Sequence, residues 1–176
     1  MVFGMGKKIL NIPNILTISR FVLSPVFFIL LLADKVYEGL AVFVIVALTD
    51  LADGWVARSI KQKTAFGGVI DPMADKFMVF IAMIALVIKF EFPLYGLFIL
   101  VRDIVSLASS ILVHSKNKGA WKPNIFGKLT TAFQVITIIA FIAQINFRFI
   151  ILFFTIGLSF ITAITYSIKF FRIARE

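Results

Sequence analysis

Four aspartates, Asp50, Asp53, Asp71 and Asp75, fall close together in an apolar stretch, interleaved with Gly54, Ala57, Arg58, Gly67 and Gly68. Four carboxylates cannot all stay ionised unaided in a poorly hydrated site. Protonation, basic partners or bound metal would each relieve them. Two divalent cations would balance the four charges, and oxygen donors without His or Cys suit hard ions such as Mg²⁺ or Mn²⁺. Two such ions can clamp the attacking and leaving oxygens of a displacement at phosphorus. The small residues clear space beside the acids, and Arg58 can grip a phosphate bidentately. This set suits a nucleoside diphosphate ester seated on a metal pair.

The elements that must position these residues are helices. With about 100° per residue, Asp53 lies about −60° from Asp50, Ala57 about −20°, Gly54 about +40° and Arg58 about +80°, so all five share one face. Gly67, Asp71 and Asp75 are spaced by four and share a face of the next helix. The connection between the two is short, which predicts antiparallel neighbours whose aspartates meet near one end.

The chain of 176 residues is 61% apolar and holds 21 phenylalanines, with a mean hydropathy of +1.04. That excludes a disordered chain and points to membrane spans of about 20 apolar residues each. Six are predicted, at about Asn14–Ala33, Gly39–Ala57, Gly68–Phe90, Pro93–Val113, Ile125–Ile145 and Phe147–Phe171. Lipid offers backbone groups no partners, so the expected fold is an all-α, polytopic bundle with an intramembrane polar cavity open to the cytoplasm. Residues 1–176 are read as one domain, with 1–12 as a short interfacial segment. No cysteine is present, which excludes a disulfide scaffold, a Cys-ligated metal and a thiol nucleophile.

The formal net charge is +9. Most basic residues gather at the N-terminus, the second and fourth connections and the C-terminus, whereas the other connections carry only Lys35, Lys89 and Arg148. By the positive-inside rule both termini are cytoplasmic in a multi-pass protein of the cell membrane. The charge is thus explained by topology, and no nucleic-acid partner is needed.

The spacing Asp50-x2-Asp53-Gly54-x2-Ala57-Arg58-x8-Gly67-x3-Asp71-x3-Asp75 resembles the CDP-alcohol phosphotransferase signature at all eight fixed positions. The resemblance implies transfer of a phosphatidyl group from CDP-diacylglycerol to an alcohol, with release of CMP. It implies that Asp50, Asp53 and Asp71 bind two metal ions, and that Asp75 contributes a ligand and serves as general base. Asp50, Gly54, Ala57, Arg58 and Gly67 would line the CDP-lipid site. Members are commonly homodimers.

The acceptor is sought elsewhere. Asn14, Thr17 and Arg20 recur every three residues on the first span, and Lys128, Thr131 and Gln134 do so on the fifth. Together with Arg102 they offer cations to an anionic acceptor, although Arg102 could instead pair with Asp103 or the aspartate cluster and Lys128 could snorkel to the interface. Asn11-Ile12-Pro13-Asn14-Ile15-Leu16-Thr17-x2-Arg20 and Gly127-Lys128-x2-Thr131-x2-Gln134 resemble the branch that uses sn-glycerol 3-phosphate to make phosphatidylglycerophosphate. That branch often carries Arg-Glu in the fourth span and a second Arg eight positions on, where this chain has Arg102-Asp103 and Ser110. Arg102-Asp103, Lys122-Pro123 and the same Lys128/Thr131/Gln134 spacing also resemble the CDP-alcohol type of cardiolipin synthase, whose acceptor is phosphatidylglycerol. An ion or proton transporter with an aspartate relay is the remaining alternative. It would need a path open to both faces, and it has no use for the Gly/Ala/Arg spacing.

Overall fold

The computed structural model describes residues 12–60, 67–115 and 124–175, with side chains described for 17–49, 73–74, 76–113 and 124–173. Those residues form six α-helices and no strand: α1 (Ile12–Leu32), α2 (Val36–Ile60), α3 (Gly67–Lys89), α4 (Ile99–Ser115), α5 (Ile125–Ile142) and α6 (Arg148–Arg175). A 3-10 turn, Leu94–Phe98, leads into α4. Each predicted span has a helix over it, with the fourth assembled from that turn and α4. Three segments among the described residues are long and apolar enough to cross a membrane: Leu94–Val113, Ile125–Ile142 and Arg148–Ile173. The interfacial segment expected over 1–12 lies outside the described residues save for Ile12, which opens α1.

Proline and asparagine mark the starts. Pro93 precedes the 3-10 turn, and Asn124 caps α5 by accepting a 2.8 Å hydrogen bond from the Gly127 amide, one of the donors a helix start leaves unsatisfied. At the end of the bundle that holds Pro93, opposite Asn124, α1 and α5 stop by one device. A residue in the left-handed region (Asp34, φ 62°; Gln144, φ 51°) turns the chain. The following amide then reaches back to a helix carbonyl, Lys35 to Leu30 and Ile145 to Ala140, as in a Schellman cap. At this end the Lys89 ammonium, in the last turn of α3, pairs with Asp34 of the α1–α2 turn, and the Arg148 guanidinium lies over the rings of Phe141 and Phe149. The three basic residues assigned by sequence to the sparsely charged connections therefore share one end.

Helix α1 packs against both α2 and α3, and α6 packs against α4 and α5. One apolar core draws on all six helices, with Ile99 of α4 and Leu152 of α6 fully buried in it. Phe27 and Leu31 of α1, Phe43 of α2, Met83 and Leu86 of α3 and Phe141 of α5 are fully or almost fully buried in it. Rows of Ile and Phe on the outer faces, among them Phe153, Phe160, Ile164 and Phe171, are exposed, as lipid-facing positions should be.

Candidate active site

Two sets of contacts fix the register of α1 against its neighbours. Toward α2, a Cβ on Gly39 would meet Leu31 at 2.8 Å, and the rings of Phe27 and Phe43 lie 5.5 Å apart. Continuing that antiparallel register, residue for residue, brings Arg20 level with Asp50 and Thr17 level with Asp53. Toward α3, the Ser24 hydroxyl donates to the Met78 sulfur at 3.0 Å, and the rings of Phe21 and Phe77 lie 5.3 Å apart. Continuing that parallel register sets Arg20 beside residues 74–76 and Thr17 beside residues 71–73. The four aspartate positions thus share one depth with Thr17 and Arg20, both of which are buried.

The side chains of Asp50, Asp53, Gly54, Ala57, Arg58, Gly67, Asp71 and Asp75 lie outside the described residues, as does that of Asn14. Their positions are helical: the first five on α2, Gly67 as the first residue of α3, and Asp71 and Asp75 on its first turns. The expected meeting of the two aspartate pairs therefore falls outside what is described, and α1 is the helix against which α2 and α3 both pack. Among the described side chains no group of three or more His, Cys, Asp or Glu gathers, so the candidate metal centre rests on these four positions. Their donor chemistry, carboxylate oxygen throughout, fits a hard divalent cation.

Of the acceptor residues read from α4 and α5, Arg102, Thr131 and Gln134 come together. Arg102 is 2% exposed, and its Nη2 donates to Gln134 Oε1 at 2.7 Å and to Thr131 Oγ1 at 3.1 Å. Its Nη1 lies 3.2 Å from Asp103 Oδ1. The pairing of Arg102 with Asp103 weighed from sequence is present, together with contacts to Thr131 and Gln134, which the three-residue spacing places on one face of α5. Lys128, one turn before Thr131, is exposed.

Two members of this cluster were not read as site residues. Asp103 Oδ2 accepts from Gln134 Nε2 at 2.6 Å, and Asp103 Oδ1 takes an ion pair from Lys76 of α3. Lys76 adjoins Asp75 in sequence, so the cluster ties the helix of the aspartate site to α4 and α5. The available signal was Lys76 itself, a cation within an apolar span that needs a partner. Beneath this cluster Gly127 permits a close approach, since a Cβ there would come within 1.8 Å of the Tyr166 hydroxyl oxygen.

Residues 10–161 match the family model for CDP-alcohol phosphatidyltransferase. The chain is 32% identical over 134 residues to the CDP-diacylglycerol–glycerol-3-phosphate 3-phosphatidyltransferase of Aquifex aeolicus, covering 74% of this chain and 75% of that protein. It is 31% identical over 174 residues to the protein of the same name from Wigglesworthia glossinidia brevipalpis, covering 94% and 95%. It is also 31% identical over 157 residues to the cardiolipin synthase (CMP-forming) of Rattus norvegicus, covering 79% of this chain and 52% of that protein.

Proposed function

The chain belongs to the CDP-alcohol phosphatidyltransferase family, and from that premise we propose that it transfers the phosphatidyl group of CDP-diacylglycerol to sn-glycerol 3-phosphate, giving phosphatidylglycerophosphate and CMP. One observation carries the reading: the Asp50–Asp75 signature lies whole within the matched segment, and the register of α1 against α2 and α3 sets its four aspartate positions level with buried Thr17 and Arg20. The acceptor is chosen on end-to-end similarity, which reaches 95% of a relative named for glycerol 3-phosphate but 52% of one named as a cardiolipin synthase. The single domain is a multi-pass membrane protein with both termini in the cytoplasm, acting as a homodimer. A transporter reading has nothing left to explain.

In this reading Asp50, Asp53, Asp71 and Asp75 hold two Mg²⁺ or Mn²⁺ ions. When bound, those ions neutralise the diphosphate and the departing CMP. Arg58 grips the diphosphate, while Gly54, Ala57 and Gly67 leave room for the cytidine and its ribose. Asp75 takes the proton from the acceptor hydroxyl, whose oxygen bonds to the lipid-bearing β-phosphorus as the bond from that phosphorus to the CMP oxygen breaks. Asn14, Thr17 and Arg20 on α1, with Arg102, Lys128, Thr131 and Gln134 on α4 and α5, flank the acceptor and supply positive charge. Rate enhancement comes chiefly from positioning and charge stabilisation.

The test offers purified protein CDP-diacylglycerol with glycerol 3-phosphate or phosphatidylglycerol and weighs the lipid product. Phosphatidylglycerophosphate is expected. Cardiolipin formed in its place moves the acceptor to phosphatidylglycerol, a reading that Asp103 and Ser110 favour where the glycerophosphate branch often has Glu and Arg. Release of CMP with neither acceptor contradicts both.

A further inference from the structure

Asp103 touches Lys76 of α3, Arg102 of its own helix and Gln134 of α5. It is 4% exposed, so its carboxylate is held without bulk water. Two cations on one carboxylate leave the cluster with one net positive charge, set between the helix of the proposed base and the helices flanking the proposed acceptor. Gln134 completes the clamp, donating to Asp103 while accepting from Arg102. Its amide orientation is thereby fixed, because only one assignment of its oxygen and nitrogen satisfies both neighbours. A carboxylate that merely neutralised a cation would need neither the amide nor a second cation from another helix.

We propose that Asp103 is a positioning residue for the acceptor: it orients the Arg102 guanidinium and the Lys76 ammonium so that their surplus charge faces the acceptor's anionic group. The inference rests on the phosphatidyltransferase reading above. Asp103 does not itself touch the reacting atoms. Its effect therefore falls on acceptor binding and alignment, and the CDP-lipid side is left alone.

The experiment is steady-state kinetics of the purified full chain and its variants, with each substrate varied in turn. Asp103→Asn is expected to raise KM for glycerol 3-phosphate about tenfold and leave KM for CDP-diacylglycerol within about twofold, since only the acceptor half of the site loses its alignment. Asp103→Glu, which keeps the carboxylate, is expected to restore most of the loss. Gln134→Met removes the clamp but none of the charges, and it is expected to raise the same KM about threefold. It also covers the case in which Asp103→Asn does not fold.

The sign of the change discriminates. If charge alone governed acceptor binding, Asp103→Asn would add positive charge and lower the acceptor KM, which overturns the proposal. Unchanged KM values with less folded protein would make Asp103 purely structural and overturn it as well. Failure of the wild-type chain to make phosphatidylglycerophosphate would instead strike the functional reading on which the proposal stands.

Discussion

The α5–α6 interface and the α3–α4–α5 cluster both bury polar side chains, but they satisfy them differently. Between α5 and α6 the hydroxyls pair in register, Thr130 with Thr162 at 2.9 Å and Thr137 with Thr155 at 2.8 Å. The Thr130, Thr137 and Thr155 hydroxyls each also lie within hydrogen-bond distance of the carbonyl four residues earlier in their own helix, so that in each pair one hydroxyl can donate to the other while that other donates to its own helix. Ser159, between the two pairs on α6, buries a hydroxyl with no partner among the described residues. Neutral groups with a local acceptor always at hand can therefore serve as packing, in line with the small energies measured for such bonds between membrane helices. Lys76, Arg102 and Asp103 have no such recourse. Their charges are met by one another and by Gln134 and Thr131 across three helices, with the Arg102 Nε left buried and without a partner among the described residues, which is the pattern expected where polarity is kept for function.

That contrast can be broken at its strongest point first. Asp103→Leu strands two cations and should cost about 3–5 kcal/mol of stability, the range for unpairing a buried charge. Reversible unfolding in mixed micelles would measure it, and a loss near that of a threonine variant would erase the distinction. Gly127→Ala comes next. Its Cβ would collide with the Tyr166 hydroxyl, for an expected cost of about 1–3 kcal/mol. Tyr166→Phe in the same chain should recover part of it, and no recovery would mean that the close approach is not the cause. The smallest effect belongs to the hydroxyl pairs. A double-mutant cycle of Thr137→Val and Thr155→Val should give a coupling of about 0.6 kcal/mol, and a coupling several times larger would place this interface with the charged one.

These differences also explain what could be read from the sequence. The helices were legible because apolar runs, prolines and connection lengths are local signals; the α5 prediction began at Ile125, where the helix begins. The common depth of Arg20 and the aspartate positions was not legible, since it depends on how Phe27, Phe43, Ser24 and Met78 pack. On the fifth span, the spacing of Thr131 and Gln134 identified one face, and Arg102 meets both residues there. The link from Lys76 to Asp103 joins helices whose rotation about their axes no spacing rule determines, so Asp103 was read only as a neighbour of Arg102. The α5–α6 hydroxyl pairs were missed because a threonine in an apolar run carries no mark of which helix it will face. The seven-residue interval between Thr130 and Thr137, repeated between Thr155 and Thr162, was the available trace.

The claim on which the rest depends is that the aspartate helices perform the transfer, with Asp75 as its base. The direct measurement is CMP release from CDP-diacylglycerol by Asp75→Asn beside the wild-type chain, in the presence of acceptor and Mg²⁺ or Mn²⁺, with CDP-lipid binding measured on the same preparations. A loss of at least about a thousandfold in turnover with binding retained is predicted, in the range for removal of a positioned general base. Wild-type CMP release by that variant would contradict the account.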